Sequence, residues 1–566
     1  MAKAFAAHQA AFEKEGVYIG GWSFRDTLTP RKKDGKHDTS EDRIQNATVL
    51  TPDWTVEEER RLVRKLDFRV LFPACIIYFL AYMDRANLGN VKILGLGTES
   101  SIEGRLGMKG ADFSWAVSIT YFAVTAGLLP SNILMKKFSA KYFFPIVMIL
   151  WGVIVMSMAA CKSLAGLLAA RFFLGIPESG VVPACVMYFS MWYKPSERAF
   201  RIGVFHSANA LASAVSAFIA AGIGHLNGRN GLDSWQWVFI IEGILPIAMA
   251  PIIFLLLLTF PETSTALSER ERYIAINRFG RGAARKTDVS WSWPAFRRIF
   301  KRPSTYVFFV SYVALCMVAV AQATFLPTIL KVFLGYSTTK SNLYTAACNL
   351  SIIPLYWVWG VHSDWTRERM WHYLLPVVAS VPCYAVWTYT SMHPEARGTV
   401  IETTALYGMA YLGQMVLISQ PIVLSYRSST LYGAAEQAVG VAAAVASLTI
   451  ASIIAPQMYP NQDAPRYLAG FAGTLALLVV CILSYLTLPL WLMREAHVRK
   501  KKTGHAMPLQ AIEDAERSMV TDAAHDLIHR LNEQEEMGML AAKGVEAGAA
   551  EAQHVEEQHQ QPPKTI

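Results

Sequence analysis

About twelve stretches of roughly 20 mostly apolar residues run through the chain, each long enough to cross the hydrocarbon core of a bilayer. They begin near Phe68, Asp112, Tyr142, Leu164, Ala199, Trp235, Tyr306, Asn342, Trp371, Thr403, Gln437 and Tyr467. In hydrocarbon every backbone N–H and C=O must be satisfied within the protein, so spans of this length are expected to be helices. The expected fold class is therefore all-α and integral to the membrane. Of 566 residues, 53% are hydrophobic and only 17% charged, against about 25% charged in soluble domains. That balance excludes an ordinary water-soluble enzyme.

The formal charge of +9 is placed beside the spans rather than on one face. Basic residues cluster at Arg60, Arg61, Arg64, Lys65 and Arg69, at Lys136, Lys137 and Lys141, from Arg270 to Arg302, and from Arg494 to Lys502. This is how cytoplasmic loops of a multi-spanning protein read, so a lipid bilayer is the expected partner and nucleic acid is not. An even number of spans puts both termini in the cytoplasm. The polar stretch 261–302 divides the spans six and six, predicting an N-terminal bundle over 67–260 and a C-terminal bundle over 303–493. The tails, 1–66 and 494–566, have little apolar periodicity and are expected to be largely disordered.

Asn46-Ala47-Thr48 matches a glycosylation sequon but lies in the tail assigned to the cytoplasm, so no modification is expected there. The first 66 residues hold no apolar h-region, so insertion is expected to start with the first span. The seven cysteines are scattered singly and read as small core residues. No Ser-His-Asp set, phosphate loop or metal cluster is visible, so neither an enzyme nor a cofactor is expected.

Charges at membrane depth are the candidate functional residues, because each costs about 2.5–3.5 kcal/mol there unless it faces a cavity or a partner. The first span carries Asp84 and Arg85 late in its course. Neighbours on a helix lie about 100° apart, so the two can serve different partners, one taking a proton and the other an anion. Alternatively the span ends at Met83 and the pair lies among headgroups. The fourth span places Arg171 and Glu178 seven residues apart, two turns or about 10.5 Å along one face. Pro177 and the flanking glycines let that helix loosen, which is tolerated at depth only against protein or a water-filled cavity. The bland alternative is a fixed ion pair that locks helices together. His206, Ser207 and Asn209 follow in the fifth span, and Glu242 in the sixth reads as a packing and gating group. In the second half Gln322, Asn349, Tyr407, Gln414 and Gln420 are polar candidates without a ranking. Past the eighth span Gly360 permits close helix crossing, and Asp364 with Arg367 and Arg369 makes a charge cluster able to close a gate.

These residues fall within motifs that resemble the major facilitator superfamily, in its anion:cation symporter group and nearest the fungal allantoate permease family. The resemblance covers roughly Leu66 to Leu492. It is carried by Tyr82-Met83-Asp84-Arg85-Ala86-Asn87-Leu88-Gly89-Asn90, Pro130-Ser131-Asn132, Arg171 to Gly175, Trp192-Tyr193 with Glu197 and Arg201, Phe239 to Gly243, and Pro456-Gln457-Met458-Tyr459-Pro460 followed by Asp463 to Tyr467. Two departures stand out: Gln236 where the family often has Arg, and Ala435-Glu436-Gln437 where a basic pair is common.

The resemblance implies two six-helix halves that alternate access and take up an organic anion, such as allantoate, a vitamin acid or a sugar acid, with protons. It implies Asp84 and Glu178 as proton sites, Arg85 and Arg171 as positive groups for substrate, and Asn209 as a pocket amide. His206 joins them as a candidate from its place in the span, its alternative being a satisfied helix–helix hydrogen bond. The plasma membrane is the expected location. Two rivals remain at the level of sequence: an exporter of a fungal secondary metabolite on the same fold, and a membrane nutrient sensor that binds without transport.

Overall fold

The computed structural model describes residues 53–193, 195–278, 293–366, 368–431 and 433–503. Helix α1 (Val56–Leu66) passes through a π turn at Asp67–Leu71 into α2 (Phe72–Lys92), and a short α3 (Ile102–Leu106) follows. Next come α4 (Asp112–Met158), α5 (Leu164–Glu178), α6 (Val181–Trp192), α7 (Pro195–Ile223) and α8 (Ser234–Leu256). The polar stretch holds α9 (Glu269–Asn277) and α10 (Trp293–Phe300). The second half consists of α11 (Pro303–Thr328), α12 (Thr338–Thr366), α13 (Met370–Met392), α14 (Thr403–Gln414), α15 (Ser419–Ser429), α16 (Gly433–Ile454) and α17 (Leu468–Thr503).

The molecule is all-α. Among the described residues nine helical stretches are long and apolar enough, by length and composition, to cross a membrane. The other three predicted spans, in the first part of α4 and in α12 and α13, are helical as well; α12 is the more polar, carrying Lys340, Asn342, Asn349 and His362. α4 holds two spans, broken at Ser139, where φ turns to 66°. One apolar core gathers residues between Leu62 and Ala275, and a second gathers residues between Phe308 and Ala496. Small side chains bring the two together: Ala214 and Ala217 of α7 pack on Ala346 of α12. Close crossing also holds the first half. A Cβ on Gly152 would lie 2.7 Å from the carbonyl oxygen of Gly243, and the reverse pair would lie at 2.8 Å, so both positions need a bare backbone.

The stretch assigned to the N-terminal tail is helical from Val56, and the reason is written in its residues. Thr55 and Glu58 form a capping box, with the Thr55 N–H donating to Glu58 Oε2 at 2.8 Å and the Glu58 N–H donating to Thr55 Oγ1 at 3.2 Å. Glu57, Glu58 and Glu59 complement the positive end of the helix and Arg64 and Lys65 the negative end. Leu62 and Leu66 are buried. α9 docks on this helix through Lys65 to Glu271 at 2.7 Å, with Trp54 edge-on to Tyr273. Arg278, just past α9, is buried and binds Glu197 Oε2 at 2.5 Å and the Trp192 carbonyl at 2.9 Å. The last helix likewise runs on to Thr503, ten residues beyond the predicted bundle. Residues 1–52 and 504–566, including the sequon at Asn46, lie outside the described residues.

Burial pushes the Glu271 carboxyl up, but Lys65 and the Ser268 N–H outweigh it and hold the group below the ordinary glutamate range. A depressed folded value means that docking is strongest above the unfolded value, about 4.3, and weakens as pH falls through the folded one. Protection of the amides in 56–66 and 269–277, taken relative to the intrinsic exchange rate at each pH, is therefore expected to fall on acidification below about pH 4 and to be unchanged between pH 6 and 8. Lys65→Met should remove the acid-dependent component.

Candidate functional site

The charges of the first bundle converge where α2, α5, α7 and α8 meet. α2 continues nine residues past Met83 to Lys92, with Asp84 and Asn87 buried, so the reading that ends the span at Met83 does not hold. Arg85 turns to α5 and donates from Nε to Glu178 Oε2 at 3.0 Å. The guanidinium lies 5.1 Å over the Tyr82 ring, and its side chain keeps 17% exposure while Glu178 keeps none. Arg171, one helix over, donates from Nη2 to Asn87 Oδ1 at 3.0 Å and faces the Phe239 ring at 5.9 Å. Glu178 is thus bonded to the arginine of another helix, 93 positions away, rather than to Arg171 of its own.

Asp84 is fully buried, and neither of its oxygens has a hydrogen-bond partner among the described residues. It lies within electrostatic reach of Glu178, Glu242, Arg171 and Arg85. Glu242 accepts from Ser216 Oγ at 2.8 Å, and Ser216 in turn accepts from Asn90 Nδ2 at 3.0 Å. That relay ties α2, α7 and α8 together through a buried carboxyl. Three carboxyls face two guanidiniums here, so the cluster is electrically neutral when it holds one proton. A dry site disfavours net charge strongly, so an arriving anion must be matched by an arriving proton, and the two must leave together.

The remaining candidates divide. His206 is half-buried and pairs through Nδ1 with Tyr78 Oη at 3.3 Å, while Tyr78 stacks on Phe205. Asn209 is half-buried on α7. In the second half the polar side chains pair with each other. Tyr384 Oη donates to Gln322 Oε1 at 2.6 Å, Gln414 Nε2 to Asn349 Oδ1 at 3.1 Å, and Tyr407 and Tyr411 share a hydroxyl contact at 2.7 Å. Among the described residues Gln420 reaches Cys316 Sγ, at 4.0 Å.

At the predicted gate, Arg367 and the side chain of Asp364 lie outside the described residues. Arg369 is buried and donates to Ser363 Oγ at 3.0 Å. The acid that organises this corner is Glu368, which the sequence reading passed over. It accepts from the backbone N–H groups of Trp371 and His372 at the start of α13, and its Oε2 is 3.1 Å from His372 Nδ1. His372 Nε2 continues the chain to His362 Nδ1 at 2.8 Å. The signal available was local: an acid just before a helix start, with a His four residues on. Gln236, one of the two departures, has a structural use of its own. It accepts from the Asp233 N–H at 2.8 Å and donates to the Ala159 carbonyl at 2.6 Å, closing the start of α8.

The sequence model of the Major Facilitator Superfamily matches residues 74–456. The Emericella nidulans protein "Major facilitator-type transporter hxnP" is 29% identical over 455 residues, covering 79% of this chain and 88% of its own. Among solved structures, a bacterial homologue of the human lysosomal transporter Spinster, inward-facing and unoccupied, superposes with a TM-score of 0.57 at 14% identity over 75% of this chain and 96% of that one. A D-xylose-proton symporter superposes with a TM-score of 0.54 at 12% identity, covering 74% and 97%.

Proposed function

The chain belongs to the Major Facilitator Superfamily, as a multi-pass membrane transporter of a small molecule and not an enzyme, and from that premise we propose that it is a proton-coupled symporter of a small organic anion. Within the superfamily its motifs resemble those of the anion:cation symporters of the allantoate permease kind, and we take it to act at the plasma membrane with both termini in the cytoplasm. The observation that carries this reading is the Arg85–Glu178 pair, an ion pair with one fully buried member and one that keeps partial exposure.

Protonation of Glu178 releases Arg85 from its internal carboxylate, and a substrate carboxylate then takes the vacated place. Arg171 adds positive potential from behind, where Asn87 holds it. Asp84, without a bond of its own, is the second proton site. His206 and Asn209 on α7 contribute polar contacts to the bound anion. Glu242, tying helices within the first half, and Arg369, bonded to Ser363 within the second, are the gating groups of this reading. Once the anion and proton are aboard, the cluster is neutral and the halves can rock.

The test is the melting temperature of the purified protein against a panel of carboxylates and uncharged aromatic metabolites, since a ligand stabilises by RT ln(1 + [L]/Kd). A stabilising carboxylate is expected, with the shift lost in Arg85→Met, because removing one partner of a buried charge pair costs about 2–5 kcal/mol of binding. The same carboxylate should accumulate in proteoliposomes under an inward proton gradient. Stabilisation by uncharged metabolites alone would replace this reading with the exporter.

A further inference from the structure

Two lysines outside the charge cluster, Lys92 and Lys331, cross between the halves at the end of the molecule predicted to face outward. Lys92 closes α2 and is only 2% exposed. Its ammonium donates to Asn461 Oδ1 of the second half at 2.7 Å. It also lies between two rings, Phe113 of its own half at 4.6 Å and Phe325 of the other at 5.1 Å. Lys331 answers in the opposite direction, from just past α11 to the Ile93 carbonyl at 2.8 Å, with Thr338 Oγ1 at 2.6 Å. Each half thus sends one ammonium into the other.

The surrounding contacts explain a motif that the charge cluster leaves unused. The turn around Pro456-Gln457-Met458-Tyr459-Pro460 brings its backbone to α4: Ser114 Oγ donates to the Pro456 carbonyl and Ser118 Oγ to the Ile453 carbonyl, both at 2.8 Å. Gln457 Nε2 returns a bond to Ser118 Oγ at 3.3 Å, and Asn461 Nδ2 donates to Glu103 Oε1 at 2.8 Å. Asn461 therefore stands between Lys92 and Glu103, bonded to the ammonium through its oxygen and to the carboxylate through its nitrogen. The direct hydrogen-bond acceptors of both lysines are neutral.

We propose that Lys92 and Lys331 are gating residues of transport, a reciprocal latch that holds this mouth closed by ammonium bonds to neutral acceptors and two aromatic rings. The choice of acceptor fits a contact that must break in every cycle. A desolvated lysine–carboxylate pair leaves two uncompensated charges when it opens, whereas an amide, a carbonyl and a ring are readily replaced by water. The proposal needs only that the halves alternate, so it stands or falls independently of the anion and proton reading.

Amide exchange of the full-length protein in nanodiscs tests it, read at 88–96, 326–334 and 455–463. Lys92→Met and Asn461→Ala are each expected to raise exchange in all three segments by about 5- to 50-fold, the scale of a shifted two-state equilibrium, while 171–178 and 370–390 stay unchanged. Lys92→Arg, which keeps the charge and ring contacts, should restore most of the protection. If Lys92→Met does not yield monodisperse protein, Asn461→Ala and Lys331→Met read the same seam from the second half. Wild-type exchange in those two variants overturns the latch, and so does a rise spread evenly over the whole chain, which would mark lost stability rather than an opened mouth.

Discussion

Glu178→Gln should lower gradient-driven uptake by about 30-fold or more while leaving exchange of external for internal substrate near the wild-type rate. The two halves of that expectation come from two properties of one side chain. The amide oxygen introduced by the substitution can still accept from Arg85 Nε at the distance now held by the carboxylate, 3.0 Å, so the helix contact between α2 and α5 survives. The charge does not, and Arg85 is left with its positive potential permanently available to an anion. The variant is thus fixed in the state that wild type reaches only with a proton on Glu178. It can load substrate and turn over as an exchanger, but it has no proton to deliver. About 2 kcal/mol of lost coupling corresponds to the 30-fold figure, at 1.4 kcal/mol per factor of ten, and lies at the low end for a buried charge pair. In wild type, uptake should rise as external pH falls, since Glu178 must gain a proton before Arg85 is free; in the variant that slope should vanish. Uptake by Glu178→Gln that still accumulates substrate against its gradient and still follows pH would remove Glu178 from the coupling.

How much of this was legible in the residues depends on the range of the interaction. Span length is a local property, and so the all-α membrane fold could be read from apolar stretches alone. Charge at depth is also local, and it singled out Asp84, Arg85, Arg171 and Glu178. Pairing is not local. Arg171 and Glu178 share a helix face, yet the bond forms between Arg85 and Glu178, because α2 and α5 are brought together by packing that no single segment encodes. Lys92 was hidden for the opposite reason: a lysine at the end of a span is ordinarily a headgroup contact, and only the second half, through Phe325 and Asn461, makes it a buried one. The helix from Val56 is a different case, since Thr55-x-x-Glu58 and the graded charge of its two ends are local signals that the polar composition of the tail obscured. The second-half site stays the least legible part, because Gln322, Asn349 and Gln414 bond one another or a tyrosine within their own half, while Gln322 Nε2 and Gln414 Oε1 are buried without a partner among the described residues.

The seam beside Lys92 also predicts the effect of the smallest change that would wedge it. Gly89 is one turn before Lys92 on α2, and a Cβ built there would collide with the carbonyl oxygen of Thr324 in α11. The obstructing atom is backbone on both sides, so no side chain can rotate away and the two helices must separate. Gly89→Val is expected to disfavour the state closed at this mouth by about 2–3 kcal/mol, the cost of overpacking a tight contact, and so to shift the balance of the two access states by about 30- to 150-fold. Net uptake should fall by a similar factor, because the state that discharges substrate at the opposite mouth becomes scarce. Binding from the wedged side should persist, since Arg85 lies one turn before Gly89 and its bond to Glu178 runs through α5 rather than α11. Equilibrium binding to the purified variant, measured beside proteoliposome uptake, separates these effects. Retained affinity with lost uptake identifies a wedge at the seam. Retained uptake would mean that the two backbones do not have to meet at Gly89 for the mouth to close, and loss of both affinity and uptake would place the damage in the charge cluster instead.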